Sequence, residues 1–150
     1  VVVAIENHMD YRCTEIAEVV AGVDSPWLRV NFDFANSYSV IEDPLDAATA
    51  VAEWTVMAHI KDMRVQPKTL TGEPKIMWAP LGCGTVPVAE ILAILKQRAP
   101  DPDALPLCLE IAPLPDQDPD LWVDMSVRAM RTSFGEYLTP NREHETDHGD

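Results

Sequence analysis

The 150-residue chain contains no apolar run approaching the ~20 residues that a membrane-spanning helix requires, so no membrane partner is expected. Nor does it open on a basic segment followed by an apolar stretch. It begins with Val rather than Met and reads as a piece of a longer polypeptide. Positive charge is scarce: 11 Lys and Arg stand against 25 Asp and Glu, a net charge of −14. Such an excess repels phosphate backbones, and nucleic acid is not an expected partner. Cysteine is limited to Cys13, Cys83 and Cys108, an odd number with no C-x-x-C pair. That suggests neither a disulfide framework nor a thiolate zinc site, and a reducing, cytoplasmic setting is expected.

What is present is an ordinary globular composition, 47% apolar, in a chain long enough for one domain with a real core. Val1 to Ile5 is a continuous β-branched run, and from Thr14 the residues Ile16, Val19, Val20 and Val23 fall at helical spacing, with Gly22 and Ser25-Pro26 as its punctuation. "WLRVNF" at Trp27 to Phe32 resumes an extended pattern. Asp43 before Pro44 pairs a cap acceptor with a proline at the first helical position, ahead of the stripe Leu45, Ala48, Val51 and Ala52. "TVMAHI" from Thr55 reads as a third strand, followed by a long loop. Pro87 then opens a helix with Val88, Ile91, Leu92 and Leu95 on one face. "PLCLEI" at Pro106 to Ile111 reads as a fourth strand, and Asp118-Pro119 starts a helix with Trp122, Met125 and Ala129 on one face. Residues 1–138 thus hold four βα units, an α/β pattern that demands a parallel sheet. Residues 139–150, "TPNREHETDHGD", read as an acidic flexible tail. The unit length of about 31 residues suits a segment of a barrel as well as an open flavodoxin-like sheet.

Each strand ends in a potential metal ligand: Glu6, Asp33, His59 and Glu110. In a parallel sheet all carboxyl ends lie on one side, and closure toward a barrel aims the inward residues at a common point. Three carboxylates brought together demand a cation or protonation. Oxygen-rich ligation with one nitrogen suits Mn²⁺ or Mg²⁺ best and tolerates Co²⁺ or Zn²⁺. Asp62 reads as a solvated turn residue beside Lys61, and the acidic tail's His144, Asp147 and His148 are set aside.

At these residues the chain resembles the sugar phosphate isomerase/epimerase family, the xylose isomerase-like TIM barrels that also include AP endonucleases and inosose dehydratases. "AIENH" resembles the family's fifth strand, "SPWLRVNFDFAN" its sixth with the D-x-x-N ending, "AHIKD" its seventh and "LCLEIAP" its eighth, while "PLGCGTVPVAEILAIL" is similar to its Gly-rich lead into a late helix. Two departures are Cys83, where the family often has an acid, and Phe34-Ala35 in place of a commoner Thr-Gly. The resemblance implies that residues 1–138 are the carboxyl-terminal half, strands 5–8, of a (β/α)₈ barrel. It implies that Glu6, Asp33, His59 and Glu110 bind one divalent metal, that Glu6 and Glu110 are the catalytic proton carriers, and that His8, Asn36 and Lys61 contact substrate.

The implied activity is isomerisation or epimerisation of a sugar or sugar phosphate, a small polyhydroxylated carbonyl compound, by proton transfer through a metal-stabilised enediolate. Dehydration of the inosose or dehydroshikimate type is the enzymatic alternative, and a non-enzymatic flavodoxin-like module the other. Phosphodiester cleavage of the AP endonuclease kind needs more His ligands and a basic DNA face, and the chain has neither. A free half-barrel exposes two strand edges, so a homodimer or association with the missing half is expected.

Overall fold

The computed structural model describes residues 1–66, 72 and 75–138. The acidic segment 139–150 therefore lies outside the described residues, as do 67–71, 73 and 74.

Four strands form one parallel sheet: β1 (Val3–Glu6), β2 (Leu28–Asp33), β3 (Thr55–Ile60) and β6 (Leu107–Leu109), in the order β1-β2-β3-β6. Every connection within it carries a helix: α1 (Cys13–Val23), α2 (Pro44–Val51) and α3 (Val88–Arg98), with α4 (Pro119–Ser133) after the last strand. Parallel neighbours need such crossovers, because a tight turn can only join antiparallel strands. The long loop expected after the third strand is instead an antiparallel hairpin, β4 (Asp62–Gln66) with β5 (Lys75–Ala79). "DMRVQ" and "KIMWA" are too mixed in polarity to announce strands, and they form by pairing with each other outside the main sheet.

Local chemistry sets the helix ends. Asp43 Oδ1 accepts from Leu45 N at 2.8 Å and Asp118 Oδ1 from Asp120 N at 3.0 Å, each ahead of a proline at the first helical position. The start of α1 is capped at long range, with Glu42 Oε2 accepting from Cys13 N at 2.8 Å. Gly22 does not end α1, which runs on to Val23; Asp24 takes the left-handed conformation at φ 46° and its N–H reaches Val20 O.

The core lies between the sheet and its helices. Val30, Phe32 and Ala58 of the central strands pack with Ile16, Val20, Ala47, Ala48, Val51, Ile91, Leu92 and Leu95. The stripe expected on α3 is buried as drawn. On α4, however, the buried face is Trp122, Ser126 and Met130, and Met125 is exposed. Ser126 replaces it because its hydroxyl accepts from Leu81 N at 3.0 Å, which satisfies a polar group inside. On α1, Val19 and Val23 are exposed, as are Val1 to Val3 beside them at the free edge of β1. An open groove of about 570 Å³, lined by Ile5, Tyr11, Ile16 and Val19, runs along this edge.

Candidate metal centre

The carboxyl ends of the four parallel strands carry the polar cluster. Register decides who meets whom: Glu6 lies opposite Asn31, Asp33 opposite His59, and His59 opposite Cys108. Side chains alternate along a strand, so Asn31 and Asp33 share one face of β2, while His59 shares a face of β3 with Lys61 just beyond it. The ladder continues past the strand ends, with Phe34 N donating to His59 O at 3.1 Å and Glu110 N to Ile60 O at 3.0 Å. One potential ligand atom from each of Glu6, Asp33, His59 and Glu110 falls within 4.8 Å of the others. His59 Nδ1 is 3.3 Å from Glu6 Oε1 and 3.4 Å from Glu110 Oε2.

Asp33 is wholly buried and rigidly held. Its Oδ1 accepts from the backbone N–H groups of Ala35 and Asn36, both at 2.9 Å. Asn7, which the sequence reading overlooked, fixes its backbone: Asp33 N donates to Asn7 Oδ1 at 2.7 Å and Asn7 Nδ2 donates to Asp33 O at 2.9 Å. Asn36 Nδ2 in turn donates to Asn7 O at 3.0 Å, so β1 and β2 are stitched together beneath the cluster. Among the described residues one cation enters the group. Lys61, 3% exposed, places Nζ 2.7 Å from Asp33 Oδ2, 3.0 Å from Glu110 Oε2 and 3.0 Å from Asn36 Oδ1, and 4.5 Å from the centre of the Trp78 ring. Trp78 belongs to the hairpin and was likewise not foreseen.

One ammonium among these acids leaves the charge incompletely balanced. Burial pushes the Asp33 carboxyl up to about 6 even though Lys61 opposes the shift. Burial also acts upward on Glu110, but hydrogen bonding with Asp33 and the charge of Lys61 outweigh it and hold that carboxyl below its ordinary range. Asp33 Oδ2, Glu110 Oε2 and His59 Nδ1 are buried atoms that receive no aligned hydrogen bond. Three such atoms aimed at one space, with a Glu6 oxygen beside them, fit a hard divalent cation: ligands about 2.1 Å from one ion lie roughly 3–4 Å from one another. The residues that would hold it are Glu6, Asp33, His59 and Glu110.

The other sequence-nominated residues are distributed differently. His8 is exposed, two residues beyond Glu6, and stands outside the group of four. Asn36 and Lys61 are buried and bonded within the protein. Asp62 is not a solvated turn residue. It is 3% exposed, and its carboxylate accepts from Gly82 N at 2.9 Å, Gly84 N at 2.8 Å and Val86 N at 3.2 Å. The Gly-rich segment before α3 is thereby folded around a side chain of the hairpin. Gly82 sits at φ +81°, and a Cβ on Gly84 would fall 1.9 Å from Asp62 Oδ1.

A parallel sheet with helical crossovers, carrying an acid-imidazole cluster at the strands' carboxyl ends, is the α/β arrangement of a barrel-type domain. The sequence pattern of the xylose isomerase-like TIM barrel family matches residues 1–131, and the chain belongs to that family. A xylose isomerase domain protein from Planctomyces limnophilus is similar in structure, with TM-score 0.66 and 24% identity over 89% of this chain and 46% of its own. A xylose isomerase-like TIM barrel protein from Mycobacterium smegmatis, solved in complex with magnesium, has TM-score 0.66 and 20% identity over 93% of this chain and 44% of its own. The probable 3-DHS dehydratase AsbF of Bacillus anthracis has TM-score 0.58 and 20% identity over 85% of this chain and 49% of its own. Uncharacterized protein YihM of Escherichia coli (strain K12) is 36% identical over 58 residues, 39% of this chain and 18% of its own. The chain therefore spans less than half the length of these relatives. Among the described residues no helix is long and apolar enough to cross a membrane.

Proposed function

We propose that this chain is the carboxyl-terminal half, strands five to eight, of a (β/α)₈ barrel whose parent is a divalent-metal-dependent isomerase or epimerase of a sugar or sugar phosphate. The observation that carries this reading is the convergence of three carboxylates and one imidazole, one from the end of each successive parallel strand, within 4.8 Å. Glu6, Asp33, His59 and Glu110 hold the ion, Mn²⁺ or Mg²⁺ by preference for an oxygen-rich set, with Co²⁺ or Zn²⁺ as substitutes. Bound there, the cation supplies a Lewis acid that polarises a substrate carbonyl and lowers the barrier to losing the adjacent proton. Glu6 and Glu110 take and return that proton, since each is only partly buried and can face substrate. Asp33, fully buried and tied to Asn7 and Lys61, anchors the ion rather than moving protons. Asn36 and Lys61 form the buried floor of the substrate pocket and the exposed His8 its rim.

The exposed edge of β1, with Val19, Val23 and the groove beside α1, is where the other half of the barrel, or a second copy, would pack. The partner at the site is a small polyhydroxylated carbonyl compound. The same proton abstraction also serves a dehydratase when a hydroxyl on the next carbon is expelled. The test uses the intact protein with Mn²⁺ in D₂O and a panel of ketoses, read by proton NMR. Deuterium entering the carbon beside the carbonyl with isomer products is expected, and enone absorbance without isomers assigns the dehydratase instead. No exchange with any ketose, together with no calorimetric binding of Mn²⁺, overturns the proposal in favour of a non-enzymatic module.

A further inference from the structure

The contact between Asn31 and His59 bears on which ring nitrogen is free to ligate an ion. Asn31 is 9% exposed and lies on the same face of β2 as Asp33, one layer behind the imidazole. Its Nδ2 is 3.1 Å from His59 Nε2, while its Oδ1 is buried without a hydrogen-bond partner. With the amide nitrogen donating, Nε2 must present its lone pair, and the neutral ring then carries its hydrogen on Nδ1. Yet Nδ1 is the nitrogen that faces Glu6 and Glu110 and belongs to the cluster. A hydrogen there would block ligation. Amide oxygen and nitrogen are nearly isosteric, and the network decides which stands where. Turning the Asn31 amide by half a revolution places Oδ1 on the hydrogen of Nε2 and leaves the Nδ1 lone pair free, while Nδ2 takes the buried place in which Oδ1 has no partner. A ligating imidazole is generally held this way, by an acceptor on its second nitrogen.

The geometry points to Asn31 as the positioning residue of the metal centre: its side-chain oxygen accepts from His59 Nε2 and so commits Nδ1 to the ion. This rests on the reading of the cluster as a divalent-metal site and adds to it the residue that sets the tautomer. Loss of such an acceptor weakens metal binding by about 10- to 100-fold.

The test titrates Mn²⁺ into the intact protein by calorimetry for wild type, Asn31→Leu and Asn31→Asp. Asn31→Leu removes the acceptor at similar volume and is expected to weaken binding by about 10- to 100-fold. Asn31→Asp only accepts at this position when ionised, and above its carboxyl's titration is expected to keep the affinity of wild type or exceed it. Nitrogen-15 spectra of the His59 ring in the Zn²⁺-loaded wild type give a second readout that needs no variant to fold. The expected pattern is a metal-shifted Nδ1 and a protonated Nε2. Binding through Nε2, an Asn31→Leu affinity equal to wild type, or an Asn31→Asp loss as large as that of Asn31→Leu each overturns the assignment while leaving the metal site standing. A wild type that binds neither Mn²⁺ nor Zn²⁺ removes the metal reading itself, and this assignment with it.

Discussion

Replacing Lys61 with Met keeps the stem and deletes the charge. The ammonium is 2.7 Å from the wholly buried Asp33 and 3.0 Å from Glu110, and it accounts for a hydrogen bond to Asn36. Removing one partner of a buried ion pair costs about 3–5 kcal/mol, because the other charge is left uncompensated. Glu110 is more than a third exposed and adds little to that cost, so the figure belongs to the Asp33 contact. For a domain of this size each kcal/mol moves the melting temperature by about 2–4 °C, so the metal-free Lys61→Met protein is expected to melt roughly 6–20 °C below wild type. A divalent cation bound at the cluster, as proposed, would supply the missing positive charge. Saturating Mn²⁺ should therefore recover most of the loss, and the Mn²⁺-induced rise in melting temperature should be larger in Lys61→Met than in wild type. Differential scanning calorimetry with and without Mn²⁺ reads both quantities. A metal-free loss under 2 °C, or a loss that Mn²⁺ leaves untouched, refutes the view that Lys61 is the internal counter-ion of these acids.

Other consequences follow from the same contacts. Asn7→Leu strips Asp33 N and Asp33 O of their partners, each worth about 1–3 kcal/mol when left unmet inside, and should lower both melting temperature and Mn²⁺ affinity; unchanged metal affinity would count against the stitching role. Gly84→Ala drives a methyl group into Asp62 and should loosen the segment from Gly82 to Val86, seen as faster proteolysis there than in Gly22→Ala, where a Cβ meets nothing within 4 Å. The pH dependence has a definite sign. Asp33 has a folded value, about 6, above its ordinary 3.8, so the protonated acid favours the fold and its contribution is fully present below about 4. That contribution is lost as pH rises from about 4 to 6 without metal, and the stability difference between wild type and Asp33→Asn should change across this window in denaturant titrations. A flat difference would show that Asp33 titrates normally.

Helix positions were legible because they depend on contacts three and four residues apart. The caps at Asp43 and Asp118 and the α3 stripe required no knowledge of distant chain. The errors lie where a distant partner decides. Ser126 is buried because Leu81 N needs an acceptor, and Asp62 is buried because three backbone N–H groups of the Gly-rich segment close on it. The β4–β5 hairpin exists through its own pairing, which alternation of polarity did not announce. Asn7 and Asn31 carry ordinary side chains whose importance comes only from what lies across the sheet.

By itself the sequence determined that strands and helices alternate, that the strands run parallel, and that Glu6, Asp33, His59 and Glu110 end successive strands, since each of these depends on residues near in the chain. Only the tertiary structure decided the register that sets Asp33 against His59, the lysine that threads between the acids, and the asparagines behind them. Those are distances between segments some 25 to 30 residues apart, and side-chain chemistry at such separation is fixed by packing and hydrogen-bond satisfaction rather than by local pattern.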